Sequence, residues 1–243
     1  MYDKPLYLPA GDQAMVVEFG DGIDPETNRK VRDLVLAIES SDITGIYDLM
    51  PTYRSLLVYY DPLTLSDAEL RARLEEVGDG LEATPVEQPV VVNLPTLYGG
   101  EYGPDLGYVA QNSGTSEEEV VSTHSGTAYI VYMIGFNPGF PYLGGLDESL
   151  HTPRLKTPRA KIPAGSVGIA EGQTGVYPQD SPGGWQLIGR TPLRLFDSLR
   201  EPPGLLAAGD YARFQPVGSE EEYLEILRQI ENGEYEVVKE AAP

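Results

Sequence analysis

Gly135-Phe-Asn-Pro-Gly-Phe-Pro-Tyr-Leu-Gly-Gly-Leu146 leads into Pro153-Arg-Leu-Lys-Thr-Pro-Arg-Ala-Lys-Ile-Pro-Ala-Gly-Ser166. Two further stretches follow, Gln173-Thr-Gly-Val-Tyr-Pro178 and Ser181-Pro-Gly-Gly-Trp-Gln-Leu-Ile-Gly-Arg-Thr-Pro192. The 70 residues from Gly135 to Gly204 hold 12 Gly and 10 Pro, a density that specifies many separate turns. Proline fixes φ and glycine permits positive φ, so each turn has a defined shape. Aromatic and aliphatic residues are interleaved throughout, which argues against a linker. The segment reads as loops held rigid over a β scaffold, where sites usually sit.

Charge singles out the same region. The chain has 17 Lys+Arg against 38 Asp+Glu, a net of −21. Gly135–Ser198 carries six basic and five acidic residues, so nearly all of the acidity lies elsewhere. Between His151 and Ala170 stand four cations, Arg154, Lys156, Arg159 and Lys161, and no acid. Such a stretch is a candidate holder of a carboxylate or phosphate. The competing reading is four solvated cations on a loop.

Working outward, the preceding run Ala128–Ile134 is rich in β-branched and aromatic residues and is expected as a buried strand. Short strands are expected near Val167–Ala170, Trp185–Gly189, Leu193–Phe196 and Tyr211–Phe214. Short strands with turn signals between them suggest a β-barrel or sandwich. Val90–Leu94 opens this unit. Asp105–Gln111 is expected as a short helix, and Ser116-Glu-Glu-Glu119 caps one running to about Ser122. Ser219-Glu-Glu-Glu222 caps a last helix. The first 80-odd residues give the order β-β-α-β-β-α. There Asp24-Pro25 starts one helix and the capping box Ser66–Glu69 the other. Two helices on one face of an antiparallel-rich sheet are expected. Thr84-Pro-Val-Glu-Gln-Pro89 is the expected boundary, giving an N-terminal α+β domain, 1–84, and a β-barrel domain with a C-terminal helix, 85–243.

The totals exclude several classes. No run of 18 apolar residues exists, so no transmembrane helix is expected. Met1-Tyr-Asp-Lys-Pro lacks a signal pattern, and a cytoplasmic location is expected. Zero Cys and two His leave no disulfide, no thiolate chemistry and no expected metal site. Nucleic acid wants a basic footprint, which this chain lacks. Only five of the cations are Lys. Low Lys with abundant Asp and Glu suggests a halophilic protein, whose self-repulsion high salt suppresses.

Six residues are candidates for binding substrate or nucleotide. Arg154 and Arg159 each follow a proline, and their guanidinium forks match a carboxylate. Pairing with Asp147 or Glu148 is the competing reading. Gln173 and Tyr177 offer polar atoms to a pocket, or are simply turn residues. Trp185, the only Trp, offers an apolar wall, with most of its ring expected in the core. His124 is an acid–base or donor candidate, or else it caps a helix end. No phosphate loop and no Gly-x-Ser-x-Gly elbow exists, so catalytic residues stay unassigned and a partner is expected to complete the cycle.

Residues Leu97–Asp197 resemble a known family. The matching motifs are Tyr98-Gly-Gly-Glu-Tyr-Gly-Pro-Asp-Leu106, the His124 position, Gly135-Phe-x-Pro-Gly-Phe-Pro-Tyr-Leu, the Pro-Arg repeats, Gln-Thr-Gly-x-Tyr-Pro and Ser-Pro-Gly-Gly-Trp-x-x-Ile-Gly-Arg-Thr-Pro. The N-terminal unit matches more loosely, at Arg54-Ser-Leu-Leu-Val-Tyr-Tyr-Asp-Pro62. They resemble the B-type subunit of the prokaryotic ATP-dependent 5-oxoprolinase, a family also known as allophanate hydrolase subunit 1 and as the Kip-type sporulation-kinase inhibitor. Carboxyltransferase regions of urea carboxylases, subdomains C and D, are similar. The resemblance implies an α+β chain, with a small α/β sandwich domain before a cyclophilin-like β-barrel. It implies a hetero-oligomer with two partners, a homologous C-type subunit plus an amidohydrolase, the A-type subunit. That complex opens 5-oxo-L-proline to L-glutamate while hydrolysing ATP. Two other functions compete: a binding module that inhibits a histidine kinase, and an allophanate or urea-pathway carboxyltransferase-type subunit. A prolyl-isomerase role would rest on fold analogy alone.

Overall fold

Asp24 starts the first helix as the sequence requires. Its carboxylate accepts from Thr27 N (2.9 Å) and Thr27 Oγ1 (2.6 Å), and Pro25 fills the first turn. In the computed structural model, residues 1–78 and 89–242 are described. Packing divides the chain into Met1–Glu87 and Gln88–Pro243. The expected boundary, Thr84–Pro89, lies outside the described residues except for Pro89.

The first unit follows the expected order. β1 (Leu6–Pro9) and β2 (Ala14–Glu18) form a hairpin, followed by α1 (Pro25–Glu39), β3 (Ile46–Pro51), β4 (Ser55–Tyr60) and α2 (Asp67–Gly78). The sheet is antiparallel throughout, in the order β1-β2-β4-β3. Period-2 alternation turns Met15, Val17, Leu56, Val58 and Tyr60 to one face. Val31, Leu34 and Ile38 of α1 and Leu70 and Leu74 of α2 close over them, so both helices serve one core. The Ser66 box is reciprocal: Glu69 N donates to Ser66 Oγ (3.3 Å) and Ser66 N to Glu69 Oε2 (3.0 Å).

The second unit is a closed barrel. Its elements are β5 (Val90–Tyr98), α3 (Leu106–Ser113), α4 (Glu117–Ser125), β6 (Ala128–Ile134), β7 (Pro141–Gly144), β8 (Arg159–Ile162), β9 (Ser166–Ala170) and β10 (Gln173–Val176). There follow β11 (Ser181–Gly183), β12 (Gln186–Arg190), β13 (Tyr211–Pro216), α5 (Glu220–Glu231) and β14 (Lys239–Ala241). Seven strands run in the order β12-β9-β10-β7-β6-β13-β5, and β5 pairs back to β12 to close the ring. β5 is long enough to hold β14 beside Val90–Val92 and β12 beside Leu97–Tyr98. The closing contact needs glycine: a Cβ on Gly189 would stand 2.9 Å from Leu97 O. Leu94, Tyr129, Val131, Val167, Ile169, Ile188 and Phe214 are among the residues of the core.

Three expectations change here. α4 runs to Ser125, past Ser122, which carries His124 into its last turn. Leu193–Phe196 is not a strand, apart from one isolated bridge between Phe196 and Gly204. It follows Pro192, and Leu193 N turns back to Thr191 Oγ1 (3.3 Å), yet Leu193 and Leu195 are still core residues. β7, β8, β10, β11 and β14 differ from the expectation, because runs of three or four residues, most of them flanked by Gly or Pro, give no periodicity to read.

Candidate functional site

One small pocket, of about 180 Å³, lies where the loops of the opening sequence converge. Its walls are aromatic. Phe140 meets Trp185 edge to face at 5.9 Å, Tyr177 meets Trp185 at 6.0 Å, and Phe140 meets Tyr177 at 5.8 Å. Edge-to-face contacts set the positive edge of one ring against the negative face of another, which favours these mutual angles. Trp185 precedes β12 and is 8% exposed, so most of its ring is core as expected, and its edge lines the pocket. Tyr142 of β7, Gln173 at the start of β10, Arg154 and Gly183 complete much of the lining.

Phe136 stands at the mouth, 74% exposed. Its φ is +63°, a left-handed conformation that a bulky side chain rarely adopts. Asn137 N donates to Gly135 O (2.7 Å) around it, and Gly135 N to Phe140 O (3.0 Å) closes the loop. Strain held in this way is typical of residues that face a ligand.

The four cations divide. Arg159 Nη2 donates to Asp105 Oδ1 (2.8 Å) and its Nη1 to Trp185 O (3.3 Å). Lys161 pairs with Asp180 at 2.8 Å. Lys156 is exposed and lines no part of the pocket. Arg154 is exposed, lines the pocket, and makes no hydrogen bond or ion pair among the described residues. Neither arginine pairs with Asp147 or Glu148. Burial raises the Tyr177 phenol, while the N–H of Trp185 and the charges of Arg154 and Arg159 oppose that shift.

Of the six sequence candidates, Arg154, Gln173, Tyr177 and Trp185 line this pocket. Arg159 lies behind its wall. His124 is not in the lining. It is fully buried, with Nδ1 2.8 Å from Tyr98 Oη, Nε2 2.8 Å from Thr174 Oγ1, and the Phe214 ring tilted against it at 4.5 Å. Thr174 gives its one hydroxyl proton to Gly168 O (3.2 Å), so it accepts from His124 Nε2–H. Nδ1 then accepts the Tyr98 proton, which burial holds firmly on that phenol. Burial lowers the imidazole to about 3, so it stays neutral. His124 therefore stands as a hydrogen-bonded core residue.

Sequence reasoning missed Phe136, Phe140 and Tyr142, although their crowding among turn residues was a signal. It also missed Asp105, which lies 54 residues from Arg159 and has no local cue. Among the described residues, no group of three His, Cys, Asp or Glu is placed to hold a metal ion, and no helix is long and apolar enough to cross a membrane.

Gly183 is required by the pocket. A Cβ there would stand 2.5 Å from Tyr177 Oη and 2.7 Å from Ile162 Cδ1. Gly183→Ala is expected to cost about 1–3 kcal/mol through overpacking and to displace Tyr177. Near-UV circular dichroism of the single Trp, its neighbour, reads the displacement; an unchanged spectrum and melting temperature would refute it.

Comparison with known proteins places the chain. Residues 5–206 match the model of the carboxyltransferase domain, subdomain C and D. The chain is 56% identical over 213 residues to the B-type subunit of 5-oxoprolinase from Haemophilus influenzae, covering 88% of this chain and 98% of that one. It is 42% identical over 227 residues to the corresponding 5-oxoprolinase subunit of Bacillus subtilis, covering 88% and 92%. The K. lactis urea amidolyase crystal structure superposes with a TM-score of 0.79 over 98% of this chain and 16% of that chain. At 22% identity, that likeness shows the fold alone. A shared domain model and two relatives matched over nearly their whole length make this chain a member of the family of B-type 5-oxoprolinase subunits.

Proposed function

We propose that this chain is a non-autonomous subunit of an ATP-dependent 5-oxoprolinase, which converts 5-oxo-L-proline to L-glutamate with ATP hydrolysis. Its partners are the homologous C-type subunit plus the amidohydrolase, the A-type subunit, in the cytoplasm. The observation that carries this reading is the naming of relatives that match nearly end to end. The pocket supports it. A five-membered lactam ring is flat and apolar on its faces, and suits walls of Phe140, Tyr142, Tyr177 and Trp185. Its one carboxylate suits the guanidinium of Arg154, which lines the pocket and is unpaired among the described residues. Gln173 and Tyr177, also in the lining, would orient the lactam N–H and carbonyl. The lactam is a stable amide: phosphoryl transfer from ATP to its oxygen, with release of ADP, makes the ring carbon electrophilic. Water adds there, the C–N bond breaks with the nitrogen taking up a proton, and a second water splits the resulting acyl phosphate into the carboxylate and phosphate. The pocket's 180 Å³ is small for a nucleotide, so ATP is assigned to another surface of the complex.

The test is ATP-dependent glutamate release from 5-oxoproline, with the three subunits present and each omitted in turn. Loss of turnover without this chain, and none from this chain alone, is expected. Full activity in its absence overturns the reading.

The halophilic expectation carries over as part of this proposal. A net charge of −21 repels itself, and salt screens that repulsion. The melting temperature is expected to rise from low to molar salt. A flat profile removes the inference.

A further inference from the structure

Asp105 occupies the position just before α3, where an aspartate ordinarily accepts a hydrogen bond from the helix N-terminus. Its side chain makes no such bond. Both carboxylate oxygens turn to the pocket wall instead. Oδ2 accepts from Leu187 N (2.7 Å), and Oδ1 accepts from Arg159 Nη2 (2.8 Å). Asp105 N also donates to Leu187 O (2.9 Å), so Leu187 is held at both of its backbone polar groups. The other arm of Arg159 donates to Trp185 O (3.3 Å).

The segment fixed in this way carries or tethers three residues of the lining, Gly184, Trp185 and Arg154. Trp185 belongs to it directly. The loop bearing Arg154 hangs from it on both sides: Gln186 Nε2 donates to Pro153 O (2.8 Å), and Leu155 N donates to Gly184 O (2.7 Å). The guanidinium that lines the pocket has no partner among the described residues, so its placement depends on these two backbone tethers.

We propose that Asp105 is a positioning residue: through Arg159 and Leu187 it locks the Gly184–Leu187 segment, and this sets the aromatic wall and the anion-binding arginine relative to each other. The inference rests on the reading of the pocket as the 5-oxoproline site. It explains why an N-cap position forgoes capping, and why Arg159 is spent on protein atoms.

Trp185 is the only Trp, so its signal reports on the wall without ambiguity. In the ligand-free chain, Asp105→Asn turns an amide N–H toward one of two donors. It is expected to change the near-UV circular dichroism of Trp185 and to raise acrylamide quenching several-fold. In the reconstituted complex the same variant should raise KM for 5-oxo-L-proline by about tenfold or more, as a displacement of about an ångström does to a positioned group, with KM for ATP unchanged. Wild-type Trp185 signals in Asp105→Asn overturn the proposal. So does a loss confined to kcat. Asp105→Glu, which keeps the carboxylate, and Arg159→Lys, which keeps the charge and loses the bond to Trp185, serve if the Asn variant does not fold. Raised quenching in both supports the proposal, and wild-type quenching in both overturns it. Failure of the ligand reading shows differently: wild-type Trp185 fluorescence would ignore saturating 5-oxo-L-proline, while the Asp105 comparison in the free chain still stands or falls on its own.

Discussion

Lowering the pH from 7 to 4 is expected to remove about 3 kcal/mol of the barrel's stability through His124 alone, and close to about 5 kcal/mol below pH 3. The sign follows from proton binding. In the unfolded chain the imidazole takes up its proton as pH falls through the ordinary histidine value of 6.5. In the barrel burial lowers it to about 3, so the folded state stays unprotonated across that window. Between the two values the unfolded state binds more protons, and stability falls as pH falls. A charged ring would also be a second donor where Tyr98 already donates, which the network cannot accept. Asp24, Asp61 and Glu69 add acid sensitivity in the first unit, each held below the usual carboxylate value mainly by a hydroxyl donor. A variant isolates the histidine. His124→Gln places one amide nitrogen toward Thr174 and leaves the Tyr98 hydroxyl unsatisfied, costing about 1–3 kcal/mol at pH 7. It has no imidazole to titrate, so its stability is expected to fall less steeply from pH 6 to pH 4, and the gap to wild type to close. Urea unfolding followed at Trp185 gives both slopes. Equal slopes would mean that the ring is protonated in the folded barrel.

What the sequence revealed follows from how local each device is. Asp24-Pro25 and Ser66–Glu69 specify helix starts through residues three apart, and both helices begin where those residues stand. The alternation in β2 and β4 is likewise local. The pocket was legible in outline, because the Gly and Pro turns that shape it lie in one stretch with its aromatic residues. The barrel's closure was not. It depends on Gly189 approaching the backbone of Leu97, a contact between residues 92 positions apart for which a lone glycine gives no address. Asp105 was hidden in the same way: before a helix an aspartate reads as a cap, and only the fold shows its carboxylate facing Arg159. His124 misled because its sequence neighbours are polar, while its spatial neighbours Tyr98, Tyr129 and Phe214 come from three strands. The acid-free cationic stretch includes the loop that brings Arg154 to the pocket lining, but it overstated the charge there. Asp105 and Asp180 neutralise two of its four cations from outside that stretch.

That division of charge sets the second large effect. Arg154→Ala is expected to raise KM for 5-oxoproline by about 10- to 100-fold, since a hydrogen bond to a charged group contributes about 1.5–3 kcal/mol. The carboxylate takes no part in the bond change, so its binding counts equally in ground and transition states and kcat should hold. Stability should change by less than about 0.5 kcal/mol, because the side chain is exposed and unpartnered. Arg159→Ala differs: it strips Asp105 of its ion pair and frees Trp185 O, so it should lower the melting temperature as well as activity. Salt adds a further discriminator. At molar ionic strength charges are screened within about 3 Å, so only direct contact survives. An anion held there needs the two parallel bonds of a guanidinium, which a lysine cannot supply. Arg154→Lys should therefore recover part of the affinity at low salt and little of it at molar salt. Wild-type KM in Arg154→Ala, or full recovery by Lys at every salt concentration, would show that this guanidinium does not bind the substrate.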